Sequence, residues 1–289
     1  MTGNGNADSL SAAAVLLALA SAAVWGTADF SGGLVSRRVP TVPVTVISQG
    51  AGFAALLVVL GIHGGSIDAR SFEIGLLAGL GGGVGLAAFY RALSLGTMSI
   101  VSPVVACGAV VPFGVSIATG ERPSGLSLAG AALAIGGAVL ASVEERRSEV
   151  PNRARAVVLA VAAAVALGLF TYFLGLGSRE GSALSTLTGA RVGSLGFLLL
   201  LAASRRESLR IGRRWLGPVA AIGLLDVTAN VLFALASRHG LLSLVSVLGS
   251  LYPVMTIMLA YAFLHERLTR PQLAGVATAL AGVAALSAG

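Results

Sequence analysis

The chain has 289 residues, of which 56% are hydrophobic and only 11% charged, with a mean hydropathy of +0.91. Soluble domains carry about 25% charged residues, so this composition excludes a soluble globular protein. The net charge of +7 is no nucleic-acid signature, because its arginines lie between apolar segments, as they do in membrane proteins.

Ten apolar segments can each cross a hydrocarbon core of ~30 Å. They are residues 11–35, 42–62, 72–94, 97–119, 124–143, 156–177, 183–203, 216–237, 241–264 and 271–288, and no remainder is long enough for a soluble domain. The leader Met1–Leu10 has no arginine or lysine, and the apolar run continues past the cleavage-like Ala20-Ser21-Ala22. That pattern predicts a retained first helix rather than a signal peptide. Asp29 follows Trp25 by one turn in this first span, and Gln49 lies in the second. Gly75, Gly79 and Gly83 recur every four residues in the third, a spacing that lets helix backbones approach closely. The fourth span holds the only cysteine, Cys107, which excludes an intrachain disulfide or a cysteine metal site and is expected to be a small packing residue. Pro103, Pro112 and Pro253 predict bends in the fourth and ninth spans.

The two halves repeat each other. At an offset of 142 residues, Gly26, Gly33, Gly75, Gly81 and Ala87 meet Gly168, Gly175, Gly217, Gly223 and Ala229. The offset becomes 144 at Gly96 and Ser99, which meet Gly240 and Ser243. It is 145 by Glu121-Arg122, Gly130 and Gly137, which meet Glu266-Arg267, Gly275 and Gly282. Five spans per half is an odd number, so the second copy must enter the membrane upside down. The predicted fold is an all-α polytopic membrane protein of ten transmembrane helices in two inverted five-helix repeats. The repeats are residues 1–143 and 156–289, with a linker at 144–155. Inverted repeats place a binding site near the membrane midplane, where the halves meet.

All 19 basic residues are arginine. Fourteen fall in or beside the odd-numbered loops, among them Arg37, Arg38, Arg146, Arg147, Arg205, Arg206, Arg213 and Arg214. Only Arg70, Arg122, Arg179 and Arg238 fall at the even-numbered ones. The positive-inside rule then puts the odd loops in the cytoplasm and both termini outside.

The second half runs from Gly240-Leu-Leu-Ser-Leu-Val through Leu251-Tyr-Pro-Val to Glu266-Arg-Leu-Thr-Arg-Pro-Gln-Leu-Ala-Gly. It resembles the EamA-type transporters of the drug/metabolite transporter superfamily, as do Trp25-Gly26, Arg191 and the two Glu-Arg hairpins. The resemblance covers essentially the whole chain and implies a ten-helix carrier of small metabolites, often an exporter. Two features depart from it: Gln49 stands where the second half has Arg191, and the resemblance implies termini inside, against the arginine asymmetry.

Polar residues within spans are the candidate substrate- or proton-binding groups. Asp226 lies near the middle of the eighth span with Asn230 one turn on; at the 142 offset their counterparts are Val84 and Ala88. The fold therefore does not itself demand polarity there, and a carboxylate at such depth costs about 2.5–3.5 kcal/mol. Arg191 has two readings, a cation lining the cavity or half of a structural salt bridge. Asp29, whose counterpart is Thr171, either lines the cavity mouth or sits hydrated at the interface. Ser102 and Ser246 share faces with Ser99 and Ser243 in the matching spans, as pathway groups or as small residues at a helix contact. Tyr90, Tyr172 and Tyr252 are cavity walls or interface anchors. Glu121 and Glu266 read as helix-start carboxylates rather than ligands.

The histidines His63, His239 and His265 are scattered at loops, and there is no phosphate loop or nucleophile elbow, so an enzyme is not expected. The reading is a secondary active transporter moving a small metabolite across the cytoplasmic membrane by alternating access, an exporter of an amino acid-like solute or drug. A passive channel and a lipid translocase are the rival readings. No cofactor or metal is called for. Expected partners are a small-molecule substrate, a proton as candidate co-substrate and the lipid bilayer, with no nucleic acid, in a monomer or homodimer. The arginine asymmetry is checked by fusions at the carboxyl terminus. An alkaline-phosphatase fusion there should be active and a green-fluorescent one dark; the opposite result reverses the orientation.

Overall fold

The computed structural model describes residues 11–36, 38–63, 66–95, 104–105, 107–141, 153–264 and 269–288, all in helices or the turns that join them. The first half contributes α1 (Ala12–Ser36), α2 (Thr41–His63), α3 (Ala69–Leu95), a 3₁₀ turn at Cys107–Ala109 that runs into α4 (Val110–Ala118), and α5 (Gly125–Ala141). The second half contributes α6 (Arg153–Glu180), α7 (Ala183–Ser204), α8 (Arg213–His239), α9 (Leu242–Gly249), α10 (Tyr252–Leu264) and α11 (Arg270–Ala288). Among the described residues seven helices, counting Leu242–Phe263 as one, are long and apolar enough to cross a membrane; Cys107–Ala118 and Gly125–Ala141 are shorter apolar helices. The ninth apolar segment is broken at Ser250–Leu251, just before Pro253, which has no N–H to carry the helical ladder on. Ser99, Ser102, Pro103, the Glu266-Arg267 pair and His265 lie outside the described residues, as do the side chains of Tyr90 and Pro253. Cys107, expected to pack in the interior, is exposed at the 3₁₀ turn.

Counterpart helices meet as a two-fold axis requires. A Cβ built on Gly130 would meet Leu286 N at 2.7 Å, and one on Gly282 would meet Gly130 O at 2.7 Å. One on Gly137 would meet Gly275 O at 2.7 Å, and one on Gly275 would meet Gly137 O at 2.8 Å. Positions 130 and 137 match 275 and 282 at the 145 offset, so each contact is the image of the other, as in an isologous interface. The register also falls along α11 as it rises along α5, so the two helices are antiparallel. Gly26 and Gly168 repeat the pattern: added Cβ atoms would come within 2.5 Å of Tyr252 O and Gly108 O, and within 2.6 Å of Met255 Cβ and Val111 Cβ.

The packing corrects one register. Gly223 is pressed against the backbone of Ser48, and Gly79 against that of Ala190, whereas Gly81 faces Ala166 and Phe170 on α6. Ser48 and Ala190 are counterparts, so Gly223 matches Gly79 at an offset of 144. The slip expected at Gly96 has already happened within α3, and the counterpart of Asp226 is Gly82 rather than Val84. A sequence match of isolated glycines cannot tell these registers apart, because either one aligns glycine with glycine.

The described arginines of the odd loops and the four of the even loops lie at opposite ends of this bundle. At the arginine-poor end Glu121 does not serve its own hairpin helix. Its carboxylate accepts from Leu242 N at 2.8 Å and Ser243 N at 2.9 Å and pairs with Arg179. It thus caps α9 in the other repeat, a helix whose own N-cap, Leu241, supplies no side-chain bond. Ser124 performs that service for α5, accepting from Ser127 N at 3.0 Å. Burial pushes the Glu121 carboxyl up, but the amide bonds and the Arg179 guanidinium outweigh it and hold it below the ordinary value.

Two outcomes follow from this packing. Gly137→Ala should destabilise the detergent-solubilised protein by about 1–3 kcal/mol through overpacking. The neighbouring Gly136→Ala, with open space around it, should be neutral or stabilising by up to about 1 kcal/mol. A folded-state value lowered below the unfolded one stabilises above the ordinary carboxyl range and loses that stability as pH falls through the lowered value. Melting temperature should therefore drop as pH goes below about 4.3, and Glu121→Gln should remove part of that dependence while costing about 1–2 kcal/mol at neutral pH.

Candidate functional site

The polar cluster lies where α2, α7 and α8 converge. Glycine brings these helices together: Gly223 lets the α8 backbone rest on Ser48, and a Cβ added at Gly52 would meet Gly223 O at 2.8 Å. That approach brings Gln49 and Asp226 level with each other. Arg191 Nη2 pairs with Asp226 Oδ2 at 2.6 Å, and Arg191 Nη1 donates to Gln49 Oε1. Gln49 Nε2 reaches Asp226 Oδ2 at 3.4 Å, and Ser194 Oγ donates to Gln49 Oε1 at 3.3 Å. Gln49 and Arg191, counterparts in the repeat, therefore touch each other.

The two charges differ in surroundings. The Arg191 side chain is 6% exposed and that of Asp226 26%. The guanidinium is held among α2 and α7 side chains, while the carboxylate retains an open side. Separating two charges in such a site costs several kcal/mol unless each keeps its partners, so the cluster is an ordered unit. Asn230 donates from Nδ2 to the Asp226 carbonyl at 2.6 Å. Its Oδ1 is buried and has no partner among the described residues.

On α1, Trp25 packs tilted against Phe233 of α8, ring centroids 5.6 Å apart, and Gly32 faces Ile222. The helices are antiparallel, so Asp29, between these contacts, comes level with Asp226. The two carboxylates interact electrostatically, and Asp29 also interacts with Tyr252. Asp29 is exposed and makes no ion pair or hydrogen bond with the described residues.

One turn along α1 from Asp29, at Trp25, is a cavity of about 50 Å³, lined by Trp25, Thr171, Phe233, Ser246, Ser250 and Tyr252 among others. A second, open cavity of about 690 Å³ lies at the arginine-poor end, walled by Glu121, Arg122, Tyr172, Arg179 and Glu180. The bundle thus brings together Asp226, Arg191 and Gln49 directly, with Asn230 bonded to the Asp226 carbonyl, Asp29 level with Asp226, and Trp25 and Ser246 on the small cavity. Tyr172 lies apart, on the outer cavity. Ser194 and Phe233 were not singled out from sequence. Ser194 is one turn after Arg191, a spacing that marks it, whereas Phe233 is one apolar residue among many. Among the described residues no cluster of His, Cys, Asp and Glu could hold a metal ion.

A crystal structure of a protein with 19% sequence identity superposes with a TM-score of 0.78, covering 95% of this chain and 98% of that one. That likeness is one of fold. No curated protein matches the chain. The model of the EamA-like transporter family matches residues 12–143 and again 154–288. Two matches that tile both halves, on a helical bundle whose counterpart helices are related by a two-fold axis, show that the chain belongs to the EamA-like transporter family.

Proposed function

We propose that this family member is a secondary active transporter that exports a small metabolite, an amino acid-like solute or a drug, across the cytoplasmic membrane by alternating access. The observation that carries the reading is the contact of Gln49 with Arg191 and Asp226. Counterpart residues that touch must lie beside the two-fold axis, and a site there changes its exposure when one half rocks against the other. Ten spans fit this reading, with α4 and the residues before it as the fourth, and α9 and α10 together as the ninth. The family match supports repeats at 1–143 and 156–289.

In this scheme Asp226 offers its open side to cargo or a proton, and Arg191 and Gln49 fix its position. Trp25, Asp29, Asn230 and Ser246 line the route, with Ser102 as the counterpart of Ser246 in the first half. No segment of the sequence resembles a nucleotide-binding domain, so the energy comes from a gradient or from the cargo itself.

Charge-neutral substitutions test the role of Asp226. Asp226→Asn still offers Arg191 an oxygen, and Gln49 remains, so the protein should reach the membrane and melt within a few degrees of wild type. Transport in proteoliposomes should fall to background. If Asp226 only balanced Arg191, its loss would strand the guanidinium at about 3–5 kcal/mol, and Asp226→Asn with Arg191→Gln would restore stability and transport together. A double variant that transports normally would remove Asp226 from coupling and binding.

A further inference from the structure

Resting on the transport reading above, we propose that the cargo is an organic ammonium ion bearing N–H groups, and that Asp29 rather than Asp226 meets its charge. Asp29 and Asp226 lie close enough to interact, and the one guanidinium in the cluster is that of Arg191. The guanidinium is already paired with Asp226 at 2.6 Å. Among the described residues, the titratable groups facing Asp29 are Asp226 from α8 and Tyr252 from α10, and neither is positive. From α2 the nearest polar group in the cluster is Gln49, which is neutral. With both carboxylates ionised the local balance is one negative charge. A carboxylate within a membrane span is costly unless paired or facing water; Asp29 keeps an exposed side, and a cation arriving there would pair with it.

Two further observations specify which cation. Asn230 Oδ1 and Ser246 Oγ are buried, at residue exposures of 2% and 3%, and neither has a hydrogen-bond partner among the described residues. Buried acceptors without donors are costly and rare in native proteins, and Ser246 lines the small central cavity. An N–H-bearing head would satisfy them, whereas a quaternary ammonium would not. The same cavity is walled by Trp25, Phe233 and Tyr252, whose ring faces attract a cation. Its volume of about 50 Å³ has room for a few water-sized groups, the scale of an ammonium head. An anion meets the like charge of Asp29.

The test uses the purified full chain in detergent and three probes that share one phenethyl body: phenethylamine, trimethyl(phenethyl)ammonium and 3-phenylpropionate. Affinity is read from ligand-dependent melting shifts. Phenethylamine should bind saturably, the quaternary analogue about tenfold more weakly and the carboxylate not at all, since loss of a charge-assisted bond is worth about that factor. Asp29→Asn should weaken phenethylamine about tenfold or more, Asp29→Glu should retain part of the affinity, and Ser246→Ala should narrow the gap between primary and quaternary amines. The two milder variants keep the test informative if Asp29→Asn does not fold.

Tighter binding of 3-phenylpropionate, unchanged binding in Asp29→Asn, or no binding of the primary amine overturns the proposal. Binding in detergent needs no transport. Asp29-dependent binding without uptake in proteoliposomes would sink the carrier reading and leave the cation site standing. Uptake of 3-phenylpropionate would do the reverse.

Discussion

Backbone contact at glycine is the constraint on which this bundle depends. Lipid tails are as apolar as leucine, so burial of apolar side chains gives helices in a membrane little reason to associate, and close van der Waals approach must do so. The glycines at 130, 137, 275 and 282 let α5 and α11 touch along their backbones, and Gly26 and Gly168 do the same for α1 and α6 against the opposite half. Because every such contact has an image, one stretch of sequence had to satisfy two environments when it was duplicated. Glycine satisfies both because it presents nothing to clash.

Chemistry enters where the symmetry is broken. The axis passes beside Gln49 and Arg191, which occupy equivalent places yet differ in charge. Asp226 answers the arginine, and its counterpart in the packing, Gly82, has no side chain at all. Asp29 is balanced against Thr171 in the same way; the threonine spends its hydroxyl on Gly168 O at 2.9 Å within its own helix. The scaffold is symmetric while the charges it carries are not.

Much of this was legible in the sequence, for physical reasons. Apolar runs report helices that cross lipid because unsatisfied backbone cannot enter it, and the repeat with an odd number of spans dictates antiparallel counterparts. Asp226, Arg191 and Gln49 stood out because polar groups are rare at such positions. What the sequence hid depends on neighbours distant along the chain. Glu121 lies next to a helix start, so it reads as a local cap, yet its bonds go to Leu242 and Ser243, more than a hundred residues on. The register of α3 against α8 was hidden because glycine recurs at several spacings in both helices. The nearness of Asp29 to Asp226 follows only from the antiparallel pairing of α1 with α8, fixed by Trp25 against Phe233.

The cap supplied by Glu121 has a consequence for biogenesis. A chain is made from its amino end, so Glu121 is already made when the segment that becomes α9 leaves the ribosome. The first turn of α9 therefore completes against a partner synthesised earlier, and the halves are not interchangeable modules that mature separately. Residues 153–289 made alone would carry a helix start with two amides unanswered and an arginine, Arg179, without its glutamate. Cutting such a gene at the linker leaves the second fragment without the cap of α9 that the first supplies.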